Sequence, residues 1–106
     1  MNVLKVSAGK MPERIEVENT LEELQKQVGG YIQAICPFDN SVGIICNEEG
    51  KIMGLEPNRV LIIDGHMDIL VGDILIVGLT EDDFRSLTVD EFVTYEKLFK
   101  NNVISA

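Results

Sequence analysis

Arg59 and its neighbour Asn58 are the residues of this sequence best suited to binding chemistry. They follow a segment containing Gly and Pro, and they precede a short apolar run. A guanidinium held against the edge of a sheet offers paired N–H donors that match phosphate or carboxylate, and an asparagine adds a donor and an acceptor. The pair therefore predicts a site for a small anionic molecule. The structural alternative is that Arg59 pairs with Glu48 or Glu49 and is anchored by the acidic turn at residues 47–50.

A turn rich in polar residues supplies most of the other candidate ligand-binding residues. It begins where an apolar run ends, and Gly50 suits the positive-φ position of such a turn. The candidate set is completed by Asn47, Glu48 and Lys51 of this turn and by Tyr31, the first residue of the apolar run at 31–36. We expect these residues to line a site with Arg59 and Asn58, one arrangement being an interface between copies of the chain.

The sequence gives little indication of metal binding or of catalysis. Asp64, His66 and Asp68 have the spacing that puts alternate strand residues on one face, where they could hold a metal. Asp64 and Gly65, however, form a strong two-residue hairpin signal, so we expect a solvated hairpin tip and no metal. The sequence contains no nucleophile elbow, phosphate loop or HExxH motif. We therefore expect a non-catalytic protein without a cofactor.

Charge and hydropathy narrow the classes of partner. The formal net charge is −9, which argues against direct nucleic-acid binding because that needs a basic surface. No apolar run approaches the ~18 residues of a membrane span, and the first residues do not resemble a signal peptide. We expect a cytoplasmic protein without a membrane partner. Cys36 and Cys46 lack partners at metal-ligand spacing and are expected to be buried thiols.

Hydrophobic periodicity predicts a chain made mostly of strands. The predicted strands lie at residues 2–7, 14–18, 31–36, 42–46, 60–63, 66–70 and 74–77. In the first of them Leu4 and Val6 are expected to face the core and Val3 to face outward. The segment 54–59 is predicted to be irregular.

Capping signals predict the helices. A helix is expected at residues 20–28, with either Thr20 and Glu23 or Asn19 and Glu22 forming a capping box and Gly29 ending it. Towards the C-terminus, Thr80 with Asp83 predicts a short helical turn, and Thr88 with Glu91 predicts a longer helix that ends at residues 101–102.

These elements predict an α+β fold. Hairpin signals without regular strand–helix–strand alternation favour a mostly antiparallel sheet of about six strands. The sheet would pack against the helix in the N-terminal half and against the C-terminal helices. The length predicts a single domain over residues 1–106, made of an α+β core at 1–78 and a C-terminal helical segment at 79–106.

Four sequence segments form a recognisable pattern: VGGY at residues 28–31, NEEGK at 47–51, NR at 58–59 and GDILIVG at 72–78. This pattern resembles a known family, the domain of unknown function 3846. The resemblance covers residues 3–78 and leaves the predicted C-terminal helices unmatched. Members of that family occur in phages, mobile elements and the bacteria that carry them, which implies an accessory or counter-defence role inside a bacterial host cell. The family supplies no activity and no catalytic residues.

Two functions are therefore expected as alternatives. The first is a non-catalytic protein that sequesters a small anionic, nucleotide-derived molecule at the site around Arg59. The second is an acidic protein-interaction module that mimics DNA or inhibits a host protein, using acidic runs such as residues 81–83 and 90–91. Those runs also suit the first turns of helices, where carboxylates are stabilised by the helix dipole.

Overall fold

The computed structural model describes residues 1–38 and 40–101. Within these residues the chain forms two antiparallel sheets and two helices. In chain order the elements are β1 (Asn2–Val6), β2 (Glu13–Glu16), α1 (Leu21–Val28), β3 (Ile32–Ile35), β4 (Val42–Asn47), β5 (Pro57–Ile63), β6 (His66–Val71), β7 (Ile74–Leu79), β8 (Phe84–Arg85) and α2 (Val89–Asn101). The main sheet has the order β2-β1-β7-β4-β3, with β8 paired to β7, and β5 and β6 form a separate hairpin. Every strand pair is antiparallel, which confirms the predicted α+β class.

Both faces of the main sheet are covered, and this divides the apolar core into two layers. On one face, Leu4, Val6, Ile44 and Ile76 pack with residues of the β5–β6 hairpin and of α2. On the other face, the alternate residues Val3, Ile45, Leu75 and Val77 pack with Leu24 and Val28 of α1. The expectation that Val3 faces outward is therefore wrong, because a sheet covered on both sides buries successive residues of a strand. Completely burying such a side chain contributes about 1.5–3 kcal/mol.

The helix starts follow the capping signals of the sequence. Thr20 Oγ1 accepts a hydrogen bond from the Glu23 backbone N–H at 3.2 Å, and α1 begins at Leu21, the residue after Thr20. At α2 the capping box is reciprocal: Thr88 Oγ1 accepts from the Glu91 N–H at 3.2 Å, and Glu91 Oε1 accepts from the Thr88 N–H at 2.9 Å. The capping box at Thr88 is confirmed, and at α1 the N-cap role of Thr20 is confirmed, while the Glu23 carboxylate accepts from Gln27 instead. Neither helix in the described part of the chain has the length and apolarity of a bilayer span.

The predicted helical turn at Thr80 is wrong. Thr80 Oγ1 accepts from the Asp83 N–H at 2.9 Å, and the Thr80 N–H donates to the Asp83 carbonyl at 2.8 Å. The same side chains that cap helices also close turns. This one returns the chain so that Phe84 and Arg85 pair with β7. Within the described residues α2 is thus the one C-terminal helix, and residues 102–106 of the predicted helical segment lie outside them.

Two glycines with positive φ allow a matched test of backbone strain and close packing. Gly29 (φ 80°) ends α1, and a Cβ there would meet no atom within 4 Å. At Gly72 (φ 70°) a Cβ would lie 2.8 Å from Leu55 Cδ1 and 3.4 Å from Leu55 Cβ. An alanine in this conformation costs about 1–2 kcal/mol. We expect Gly72→Ala to lower the free energy of unfolding in urea by more than Gly29→Ala, because Leu55 must also move. Equal losses would contradict the importance of that contact.

Candidate functional site

Arg59, the main candidate from the sequence, is completely buried. Its side chain is 0% exposed, and its donors bind oxygens of the chain itself. Nε donates to the Phe99 carbonyl at 2.6 Å, and Nη1 donates to Asn58 Oδ1 at 2.7 Å and more weakly to the Asn58 and Ser7 carbonyls. Nη2 donates to the Lys10 carbonyl. The guanidinium therefore joins the β5–β6 hairpin to the β1–β2 turn and to α2.

The expected pairing of Arg59 with Glu48 or Glu49 is wrong. Both glutamates are exposed, and the Arg59 partners in the described residues are carbonyl and amide oxygens. Burial without a carboxylate lowers the pKa of Arg59 from its usual value. The Phe99 carbonyl belongs to the last turn of α2, where the helix dipole places partial negative charge. Oriented carbonyl dipoles thus stabilise the buried guanidinium, where a carboxylate was predicted.

Asn58 completes this internal network. Its Nδ2 donates to the Val6 carbonyl at 2.8 Å and to the Gly72 carbonyl at 2.7 Å, while Oδ1 accepts from Arg59. The side chain is 0% exposed. Asn58 lies in β5 where the β5–β6 register shifts. It belongs to the segment 54–59, which was predicted to be irregular and whose last residues are part of β5. Neither member of the pair offers a polar atom to a ligand in this structure, so the geometry gives both a structural role.

Three other candidate residues do lie together. Asn47, Glu48 and Lys51 line a groove of about 260 Å³ between the β3–β4 side of the sheet and β6. The remaining lining residues are Gln33, Ile35, Cys46, Ile52 and residues 68–71. The structure thus brings the predicted turn residues together. It also places residues 68–71 of β6 in the lining, which was not predicted.

The charges in the groove are unevenly compensated. Lys51 Nζ lies 2.7 Å from Asp68 Oδ1, and this is the ion pair that the groove contains among the described residues. Asp68 Oδ1 also accepts the Ile69 backbone N–H at 2.8 Å. Glu48 is exposed, and no ion pair or hydrogen bond engages its carboxylate within residues 1–38 and 40–101. The groove therefore presents one uncompensated negative charge.

Cys46 is poorly suited to nucleophilic chemistry, and Cys36 does not line the groove. Cys46 lines the groove, and burial raises the pKa of its thiol, with the Asp68 charge acting in the same direction. A raised pKa reduces the thiolate form, which is the nucleophile. Cys36 is exposed, so its predicted burial is wrong, because it follows β3 at the margin of the sheet. No group of three or more His, Cys, Asp or Glu side chains in the described chain is placed to hold a metal ion.

Asn47 and Tyr31 shape the surroundings of the groove. Asn47 is buried; its Nδ2 donates to the Val28 carbonyl at 3.2 Å and its Oδ1 accepts the Glu49 N–H at 2.8 Å. It therefore fixes the turn against the end of α1. Tyr31 is 66% exposed and lines a separate hollow with Gly30 and other residues, with Asn47 between the two cavities.

The strand predicted at residues 31–36 is β3, and its place beside the groove was not predicted. β3 is the last strand of the main sheet in the described residues, and its segment Ile32–Ile35 has no charged side chain. The opposite edge strand, β2, carries Glu13, Arg14 and Glu16. Charged residues usually protect exposed edges from pairing with other chains, so β3 is the unprotected edge. Its lack of charge was visible in the sequence, but its edge position was not.

Comparison with known proteins gives a family but no characterised relative. No curated protein and no solved structure matches the chain. The matching family model covers residues 1–100, so it continues past Gly78 into α2, beyond the part of the chain in which the sequence resemblance was recognised. The chain belongs to the family described as Domain of unknown function (DUF3846).

Proposed function

We propose that this chain is a non-catalytic protein-interaction module that binds a partner protein in the groove beside β3. The observation that carries the proposal is the juxtaposition of an unprotected sheet edge with a groove whose Glu48 carboxylate is uncompensated. In the phage or mobile-element setting that the resemblance implies, the module would act as an accessory protein that blocks a host protein.

Charge favours a basic partner surface. The groove lining holds Glu48, Asp68 and Lys51, and the last two neutralise each other. The chain as a whole has a formal net charge of −9. Such a field accelerates the approach of basic partners and repels acidic ones. Exposed apolar side chains at the same place, Ile52 at 88% and Ile69 at 41%, supply surface that a bound partner would bury.

Sequestration of a small anionic, nucleotide-derived molecule is the second candidate. It is favoured by Lys51, the basic side chain of the groove, which is 65% exposed at its side chain. It is weakened because Arg59 and Asn58 are buried and because Lys51 already has Asp68 as a partner. An anion would have to compete with that carboxylate and approach Glu48.

A selection of random linear peptides on the wild-type chain tests the first candidate. We expect the enriched peptides to bind Glu48→Lys at least about tenfold more weakly than wild type, because the substitution reverses the groove charge. Glu81→Lys is the matched control: Glu81 is exposed outside the groove, and the change in net charge is the same. Its binding should stay close to that of wild type.

Two results would contradict the proposal. One is the absence of any peptide enriched on wild type, and the other is a set of binders that Glu48→Lys and Glu81→Lys weaken equally. Native mass spectrometry of the protein purified from expressing cells provides an independent measurement. A retained nucleotide-derived anion that is lost on Lys51→Met would favour the second candidate instead.

A further inference from the structure

Resting on the proposed function, we propose that the partner docks as an extended basic segment that adds an antiparallel strand to the free edge of β3. Main-chain hydrogen bonds to an open edge provide affinity in this binding mode, and alternate side chains provide specificity. The added strand would lie at the margin of the groove, so that every second side chain faces the groove lining.

The register of β3 identifies which backbone groups are free to bind. The Glu48 N–H donates to the Tyr31 carbonyl at 2.8 Å, which marks that pair as hydrogen-bonded. Hydrogen-bonded and non-bonded pairs alternate along an antiparallel ladder. Gln33 and Ile35, which pair with Cys46 and Ile44, therefore direct their backbone groups towards β4. The N–H and C=O groups of Ile32 and Ala34 point to the open side.

The side-chain pattern of the docking segment follows from the same register. Gln33 and Ile35 face the groove, whereas Ile32 belongs to the cluster on the α1 face. Glu48 lies beside the start of β3, and Ile35 ends it. A strand running antiparallel to β3 meets Ile35 first and, four residues later, Tyr31, which is the partner of Glu48. The pattern expected for the segment is an apolar residue followed, four residues later, by Lys or Arg.

Charge favours a basic segment of another protein over a second copy of the chain as the strand that pairs with β3. Two β3 edges could pair with each other, but each copy has a formal net charge of −9. The segment at residues 31–36 contains no basic side chain that could meet Glu48. A basic segment of another protein satisfies both the open edge and the uncompensated carboxylate. Self-association is therefore an outcome that the test must detect.

The test uses linear peptides selected on the wild-type chain and then methylated at single backbone nitrogens. Methyl groups on the amides that face β3 should weaken binding at least about tenfold, and methyl groups on the alternating amides should have little effect. In the free protein the Ile32 and Ala34 amide hydrogens should exchange faster than those of Gln33 and Ile35, and binding should slow their exchange. Sedimentation of the free protein should show a monomer.

A backbone variant provides a second measurement. Ala34→Pro removes an outward N–H and leaves the bonds to β4, which an edge strand can tolerate, whereas Ala34→Thr keeps the donor. Only the proline variant should lose peptide binding, and amide exchange of wild type decides the question if that variant does not fold.

Peptides that bind through Glu48 without the alternating methylation pattern or the Ile32 and Ala34 protection would overturn the strand addition and leave the proposed function standing. A dimer paired through β3 would overturn it as well, and the absence of any binder would overturn both proposals.

Discussion

Replacing Arg59 by methionine is expected to lower the free energy of unfolding by about 3 kcal/mol or more. The methionine fills much of the same space but removes every donor. It leaves the Phe99 and Lys10 carbonyls and Asn58 Oδ1 without the guanidinium. An orphaned buried acceptor costs about 1–3 kcal/mol. The Phe99 carbonyl and Asn58 Oδ1 are two such acceptors, whereas the bond to the Lys10 carbonyl is only partly buried. Relief from burying a charge opposes this loss, but the loss of bonds to three separate segments outweighs it. For a domain of this size the change corresponds to a fall in Tm of about 12–24 °C.

Arg14→Met is the matched control for that experiment. Arg14 is also bidentate, to Glu96 at 2.9 and 2.6 Å, and it stacks over the Phe92 ring. Its side chain is 50% exposed, so water replaces the lost partner. Thermal unfolding of Arg14→Met should therefore change far less than that of Arg59→Met. Equal falls in Tm would show that the buried network does not hold the hairpin and α2 together. Below its Tm, Arg59→Met should keep the peptide affinity of wild type, because the groove does not contain Arg59.

Arg59 also illustrates how far the sequence could be interpreted. Its position beside Asn58, between a turn segment and an apolar run, correctly marked it as unusual. Its partners could not be predicted, because the Phe99 and Lys10 carbonyls are 40 and 49 residues away along the chain. Backbone carbonyls also accept hydrogen bonds from a guanidinium, and because every residue has one, the sequence does not mark which of them will do so. The nearest acidic turn was therefore the wrong choice.

Local patterns were more informative than long-range ones. Alternating residues, the capping signals of both helices and the hairpin signal at residues 64–65 fixed most elements, because each depends on residues close in sequence. The groove residues Asn47, Glu48 and Lys51 were found for the same reason, since one turn holds all three. The order β2-β1-β7-β4-β3 depends on pairing between distant segments, such as β1 with β7. The open edge at β3 follows from that order and could not be predicted before it.

Acid is expected to destabilise the fold through Glu91, which links β8 to α2. Its carboxylate accepts from Arg85 Nη1 at 2.8 Å and Nη2 at 3.0 Å, and from the Thr88 N–H at 2.9 Å. The hydrogen bonds from Arg85 above all, opposed in part by burial, lower the pKa of Glu91 from 4.5 to about 2. Because the folded state binds the proton less tightly than the unfolded state, the carboxylate stabilises the fold fully above pH 4.5. That stability is lost as the pH falls to about 2, and it amounts to about 3 kcal/mol at most.

Glu91→Gln isolates this contribution, since glutamine can still accept the Thr88 N–H of the capping box. Other carboxylates with lowered pKa values, such as Asp83 and Glu96, remain in the variant and cancel in the comparison. Urea unfolding should therefore show wild type more stable at pH 6, with the difference shrinking steadily below pH 4.5 and vanishing near pH 2. Asp90→Asn removes an exposed carboxylate from the same helical turn, so it is the control for the helix dipole, and its difference from wild type at pH 6 should be smaller than that of Glu91→Gln. A constant difference between Glu91→Gln and wild type across this range would mean that Glu91 acts by its shape and hydrogen bonds rather than by its charge.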